Sequence, residues 1–220
     1  MRDAYHQELD ALSERLVEMT RLVRSAVNRA SSALLDADLT LAESVIEADN
    51  AVNAVRDDLD ARAFDLLARQ QPVALDLRII VTSLRMNADL ERMGDLARHV
   101  ARVARRRYPE SAVPPVFRST IVEMSQVAEL LVTKAGSVIA SQDVPAALEL
   151  ERDDDEMDRL HRELYTALLD PDSPHSVEAA IDLTSVGRYY ERFADHAVSV
   201  AGRVVYLVTG QRAEELLNSM

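Results

Sequence analysis

Apolar residues in this chain recur at alternating steps of four and three, over stretches long enough to specify helix. From Tyr5 the series runs Leu9, Leu12, Leu16, Met19, Val23, Ala26, Ala30 and Ala33. Steps of that size return to one helix face every seven residues and make a seam for shallow-angle packing on other helices. Asp36-Ala37-Asp38 interrupts the series, and a second follows through Leu41, Val45, Ala48, Val52, Val55, Leu59 and Leu66. Pro72 ends it, because the proline ring disfavours helix at the residue before it. A third helix is expected to open near Pro72, a favoured first-turn residue. It carries Ile79, Met86, Leu90, Met93, Ala97, Val100 and Ala104 as far as Arg105-Arg106-Arg107-Tyr108-Pro109.

The same plan then restarts after a linker with three prolines between Pro109 and Pro115. Phe117, Ile121, Met124, Ala128, Leu131, Ala135 and Val138 match Tyr5, Leu9, Leu12, Leu16, Met19, Val23 and Ala26 at an offset of 112. The fifth helix matches the second at an offset of 105, with Asp154 on Asp49, Met157 on Val52, Asp158 on Asn53 and Leu160 on Val55. The sixth matches the third at 100, with Tyr190, Phe193, Ala197, Val200 and Val204 on Leu90, Met93, Ala97, Val100 and Ala104. Loops shorten while helical register holds, so the chain is a duplicated unit. The expected fold is all-α: two tandem antiparallel three-helix bundles, residues 1–109 and 114–210, side by side and followed by a tail over 211–220. Scarce Gly, Pro and aromatic residues fit long helices and disfavour sheet.

The duplication also repeats a polar motif. Leu90-Glu91-Arg92-Met93-Gly94-Asp95 returns as Tyr190-Glu191-Arg192-Phe193-Ala194-Asp195, each with Glu-Arg-x-x-Asp. Carboxylates four residues apart stack on one helix face and repel. A cation, an arginine from another helix, or water alone could satisfy them. At roughly 100° per residue the pairs lie about 120–180° from the apolar seam, which is the position of a solvated face. Against that bland reading stand the second copy and the acids at matching register on the preceding helix. Asp49 with Asn53 serves the first half, and Asp154 with Asp158 the second. Hard cations take several oxygen ligands from more than one helix of a bundle. His99 would extend the first set by a turn, where the second has Ser199. Six acids crowd Glu151 to Asp158, but only Asp154 and Asp158 fit the repeat. Arg92 and Arg192 are expected to pair with acids on adjacent helices. The run Arg98, Arg102, Arg105, Arg106 and Arg107 complements a helix C-terminus, or docks an acidic partner surface.

Function classes narrow accordingly. A formal charge of −13, from 38 acidic and 25 basic side chains, argues against a dedicated nucleic-acid binder. Without cysteine there are no disulfides, thiolate metal sites or cysteine nucleophiles. The first residues lack the apolar core of a signal peptide, and no apolar run reaches the roughly 18–20 residues that cross a bilayer. The chain is expected in the cytoplasm, with membrane contact only through a partner. No Gly-rich phosphate loop, Gly-x-Ser-x-Gly or His-Glu-x-x-His occurs, nor the Glu-x-x-His pairs of di-iron oxidases.

Arg69-Gln70-Gln71-Pro72-Val73-Ala74-Leu75-Asp76-Leu77-Arg78, joined to the two Glu-Arg-x-x-Asp copies, resembles the phosphate-uptake regulators of the PhoU family, including their actinobacterial PhoY relatives. The resemblance spans residues 5 to 209. It implies a six-helix cytoplasmic protein, commonly a homodimer, recruited to the inner face of the membrane by its partners. It implies a negative regulator of the phosphate-starvation response and of phosphate uptake. Such a protein is a non-catalytic adaptor between the phosphate ABC transporter, through its ATPase subunit, and a sensor histidine kinase. Some relatives bind iron, zinc, magnesium or manganese at the acidic motifs. Carried over, the ligands here are Glu91, Asp95 and Asp49, then Glu191, Asp195, Asp154 and Asp158. Asn53 departs from the acid at Asp158 and weakens the first site by one charge. The rival class is a carboxylate-bridged metal enzyme, an oxidase or phosphohydrolase.

Overall fold

The structure is a computed structural model and describes residues 2–217, without the side chains of residues 2–4 and 70. Six long helices carry the fold: α1 (Arg2–Asp36), α2 (Leu39–Gln70), α3 (Ala74–Arg107), α4 (Arg118–Ser141), α5 (Val144–Leu169) and α6 (Val177–Thr209). A short α7 (Ala213–Leu217) follows, in the expected tail, whose last three residues lie outside those described. No strand occurs among the described residues.

Helix ends follow local chemistry. The Asp38 carboxylate accepts from the Leu41 amide at 2.9 Å to start α2, and Asp143 accepts from Ala146 at 3.1 Å to start α5. These are the same cap in the two repeats, each satisfying an orphan donor of the first turn. Ser176 does the same for α6. Gly210 ends α6 at φ 78°, a left-handed backbone that glycine adopts without a Cβ clash. Pro72 lies in the connection instead of the first turn of α3, whose cap is the extended Val73.

α1 packs on α2 and α3, and α4 on α5 and α6. The two trios join through α1 against α4 and α3 against α6. Both joins run antiparallel. Along the first, Arg24 and Asn28 reach Glu129 at 3.0 and 2.8 Å, while Arg118 reaches Asp36 at 2.8 Å. Along the second, Arg107 meets Glu178 at 2.9 Å at one end, and Asp89 meets Arg203 further along. Gly136 permits the close approach of α4 to α1, since a Cβ there would lie 2.6 Å from Thr20 Oγ1. The Tyr190 hydroxyl shares a 2.6 Å hydrogen bond with Ser31 inside the core, and burial pushes that phenol up.

One continuous apolar core therefore runs through both trios. It departs from the predicted seams in several places. Tyr5, Leu41 and Val55 are only half-buried. Val27 replaces the half-buried Ala26, Ile80 replaces Ile79, and Ala48 is exposed beside a buried Asp49. A turn of 3.6 residues drifts about 20° per heptad, so a long straight helix slides off a strict seven-residue repeat. α1 also buries a second face against α4, which a single seam does not describe.

Candidate functional site

In the first trio, Asp49 and Asn53 of α2 face Glu91 and Asp95 of α3. Gly94, between those acids, brings the helices close, since a Cβ there would sit 3.1 Å from Val52 and 3.7 Å from Asp49 Oδ1. Asp49 is 7% exposed, and its Oδ2 accepts from Asn53 Nδ2 at 3.2 Å and from Arg98 Nη1 at 2.7 Å. The other arm of Arg98 donates to Asp95 Oδ1. Arg98 thus forks between acids of two helices with one arm on each, a bridge that the several donors of a planar guanidinium allow. Arg92 donates to Asp95 Oδ2 at 3.3 Å, and Arg56 Nη1 lies 3.6 Å from Glu91 Oε1. Arg92 was expected to reach an adjacent helix. Instead it closes an i,i+3 pair on its own, because Asp95 lies within reach one turn away. The Glu91 and Asp95 side chains are 24% and 18% exposed, so this face is a helix–helix seam and not a wet surface. Burial, then the Asp95 charge, raises the Glu91 carboxyl above its ordinary value, with Arg56 opposing.

The second trio repeats the register with a different balance. Asp154 and Glu191 are half-buried, while Asp158 and Asp195 are exposed. None of the four carboxylates has an ion pair among the described residues. Asp154 Oδ1 is buried without a hydrogen-bond partner. Burial, followed by the charges of Asp195, Asp158 and Glu191, pushes the Asp154 carboxyl up to about 7. Glu191 is raised for the same reasons, burial first and Asp195 next, with His161 and Arg188 opposing. His161 lies three residues beyond Asp158 and packs where Gly187 has no Cβ; one there would lie 3.3 Å from the His161 ring. Its Nε2 is buried without a partner.

The two donor sets answer differently to a cation. In the first, guanidinium groups already reach every carboxylate. In the second, oxygen donors from α5 and α6 face each other unneutralised, with an orphaned buried oxygen and an imidazole nitrogen beside them. This set fits a hard or borderline cation. As the side chains stand, no three His, Asp or Glu donors among the described residues gather at one point.

The basic end of α3 divides between two uses. Arg106 and Arg107 converge on Asp182 of α6, a carboxylate 2% exposed, and Arg98 belongs to the first acidic face. Of the residues expected to form a docking patch, Arg102 and Arg105 remain exposed without an ion pair. His99 stacks edge-on against Tyr189 of α6, with ring centroids 5.3 Å apart, and adds no ligand to the first set. Sequence reasoning missed His161, and it placed Arg98 in the patch instead of the acidic face. Each stands three residues after an acid of its motif, and that spacing was the available signal.

A family model described as the PhoU domain matches residues 16–104 and again 121–204. A Mycobacterium tuberculosis (strain ATCC 25618 / H37Rv) protein described as phosphate-specific transport system accessory protein PhoU homolog 2 is 49% identical over 210 residues, covering 96% of this chain and 99% of its own. A Mycobacterium leprae (strain TN) protein described as PhoU homolog 1 of the same system is 47% identical, covering 98% and 97%. The crystal structure of PhoU from Pseudomonas aeruginosa superposes with a TM-score of 0.84 at 34% identity, covering 94% of this chain and all of that one. The phosphate transport system regulatory protein PhoU from Streptococcus pneumoniae shares the fold, with a TM-score of 0.85 at 22% identity.

Proposed function

The chain belongs to the PhoU family, and from that premise we propose that it is a regulatory accessory protein of a phosphate transport system. Its task is to hold the phosphate-starvation response and phosphate uptake down when phosphate is plentiful. It acts as a non-catalytic adaptor in the cytoplasm, as a homodimer, between the ATPase subunit of the ABC transporter and a sensor histidine kinase. These partners bring it to the inner face of the membrane. Among the described residues no helix is long and apolar enough to cross a membrane.

The observation that carries this reading is the second acidic face. Among the described residues none of its four carboxylates, from two helices, has an ion pair, and Asp158 and Asp195 are exposed where a partner can reach them. Asp154, Asp158, Glu191 and Asp195 would hold a metal ion there, with His161 as the nitrogen donor. A bound iron, zinc, magnesium or manganese ion would supply neutralising charge to these carboxylates. The residues of this chain do the rest. Asp154, with one oxygen buried, forms the inner end of the face beside the half-buried Glu191, and the exposed Asp158 and Asp195 form its rim. Neutralising the face changes the potential that a docking partner meets, so partner states are selected by differential binding.

The test pairs binding with regulation. Purified chain, with and without Mn2+, is titrated against the transporter ATPase subunit and the cytosolic part of the kinase. Binding that weakens in Glu191→Ala plus Asp195→Ala, together with derepressed phosphate uptake in cells, supports the reading. Unchanged binding and unchanged repression remove the acidic face from the mechanism.

A further inference from the structure

The two repeats should be alike at their acidic faces, and they are not. At the offset of 100, Arg98 of α3 corresponds to Val198 of α6, and at 105 Arg56 of α2 corresponds to His161 of α5. Asn53 corresponds to Asp158 in the same way. The first face therefore has three carboxylates against two added guanidinium groups, and the second has four carboxylates with neither.

Position matters more than count. Arg98 donates to Asp49 on α2 at 2.7 Å and to Asp95 on α3, the two helices a metal ion would have to bridge. Its charge is permanent, because guanidinium stays protonated at any physiological pH. The Asp49 side chain is 6% exposed, and displacing Arg98 would strand that carboxylate away from water. The Asn53 amide adds a donor to Asp49 Oδ2 at 3.2 Å, where the second repeat would offer another acid. A cation approaching the first face meets carboxylates already paired with guanidinium groups, and Arg98 spans the two helices it would have to bridge.

We propose that Arg98 is a built-in counter-cation that closes the first acidic face to metal, so this chain has one metal-responsive face and one fixed one. The proposal rests on the reading that the second face takes metal. It makes the first trio a constitutively locked half and the second a conditional half.

The experiment uses the full chain and Mn2+ as the probe, read by titration calorimetry and by melting with and without the ion. Glu91→Gln plus Asp95→Asn should leave the Mn2+ stoichiometry of the wild type unchanged, and Glu191→Gln plus Asp195→Asn should abolish binding. Placing Arg98→Val in that second background should create a Mn2+-dependent rise in melting temperature. Val198→Arg in the wild type should remove Mn2+ binding and raise the metal-free melting temperature. The proposal is overturned if the first pair of changes lowers the stoichiometry, or if the Glu191/Asp195 variant still binds at the remaining face. If Arg98→Val does not fold, Val198→Arg decides, and a folded Val198→Arg protein that keeps its Mn2+ overturns the proposal. A wild type that takes no Mn2+ removes metal from the proposed function. In that case a gain of Mn2+ binding by Arg98→Val alone still supports the counter-cation, and no gain refutes it.

Discussion

Asp154 concentrates the electrostatic cost of the second acidic face. Burial and the charges of four carboxylates (Asp195, Asp158, Glu191 and Asp155) raise its folded-state value from 3.8 to about 7. Between those values the folded protein holds a proton that the unfolded chain has released, so stability falls as pH rises through that window. Above it the full penalty is present, and below pH 4 it is absent. A shift of this size, discounted for solvent screening, corresponds to about 1–3 kcal/mol. Metal-free Asp154→Asn should therefore be more stable than the wild type by about that amount at pH 7.5, with the difference vanishing near pH 4. Denaturant unfolding at three pH values checks this. The wild-type deficit at neutral pH should also shrink when Mn2+ is added, because a ligand bound only to the folded state stabilises it. At the same scale the first face differs because Arg98 and Arg56 pair with its carboxylates, where the second has Val198 and His161.

At the scale of elements, the molecule depends on how α1 meets α4 and how α3 meets α6. The first join needs a small residue at Gly136. Gly136→Val would drive a side chain into Thr20 and should cost about 1–3 kcal/mol, although valine is the better helix former. The second join has an ionic knot. Asp89 is 8% exposed and accepts from Arg203 Nε at 2.5 Å, with His196 Nδ1 at 3.2 Å. Burial opposes its charge, but the His196 and Arg203 hydrogen bonds win and hold the Asp89 carboxyl below its ordinary value. Asp89→Ala leaves the half-buried Arg203 unpaired and should cost about 3 kcal/mol, while Asp89→Asn, which keeps an acceptor, should cost less. Equilibrium unfolding in urea separates the two. Tyr189 and Leu96 stand at the repeat-equivalent positions of Asp89 and His196, so the duplication alone does not imply the knot.

At the scale of the whole molecule, the repeats share one core. Residues 1–109 alone would expose the faces of α1 and α3 that α4 and α6 cover, a contiguous apolar surface of the kind that drives association. The chain cut in the linker should yield two fragments, 1–109 and 114–220, that lose cooperative melting separately and regain it when mixed. Far-ultraviolet circular dichroism melts and size-exclusion chromatography measure both outcomes. Independent, monomeric and fully cooperative fragments would contradict a shared core.

Much of this was legible in one dimension. Steps of four and three fixed six helices, because a helix is a local structure whose hydrogen bonds close within four residues. The offsets of 112, 105 and 100 identified the duplication and aligned Glu91 with Glu191 and Asp49 with Asp154. The Gln-Pro-Val-Ala-x-Asp-Leu-Arg run pointed to the family. What the acids face was decided only by tertiary structure. Glu91 and Asp95 lie off the α1-facing seam and read as wet, yet α2 covers them, because a helix in a bundle buries more than one stripe. Arg98 read as a helix end complementing its dipole, and only the approach of α2 at Gly94 gives it Asp49 as a partner. Spacing along α3 suffices for the Arg92–Asp95 and Arg98–Asp95 pairs, but only the approach of α2 joins Arg98 to Asp49 and Arg56 to Glu91, and distances between helices are not encoded in spacing along one of them.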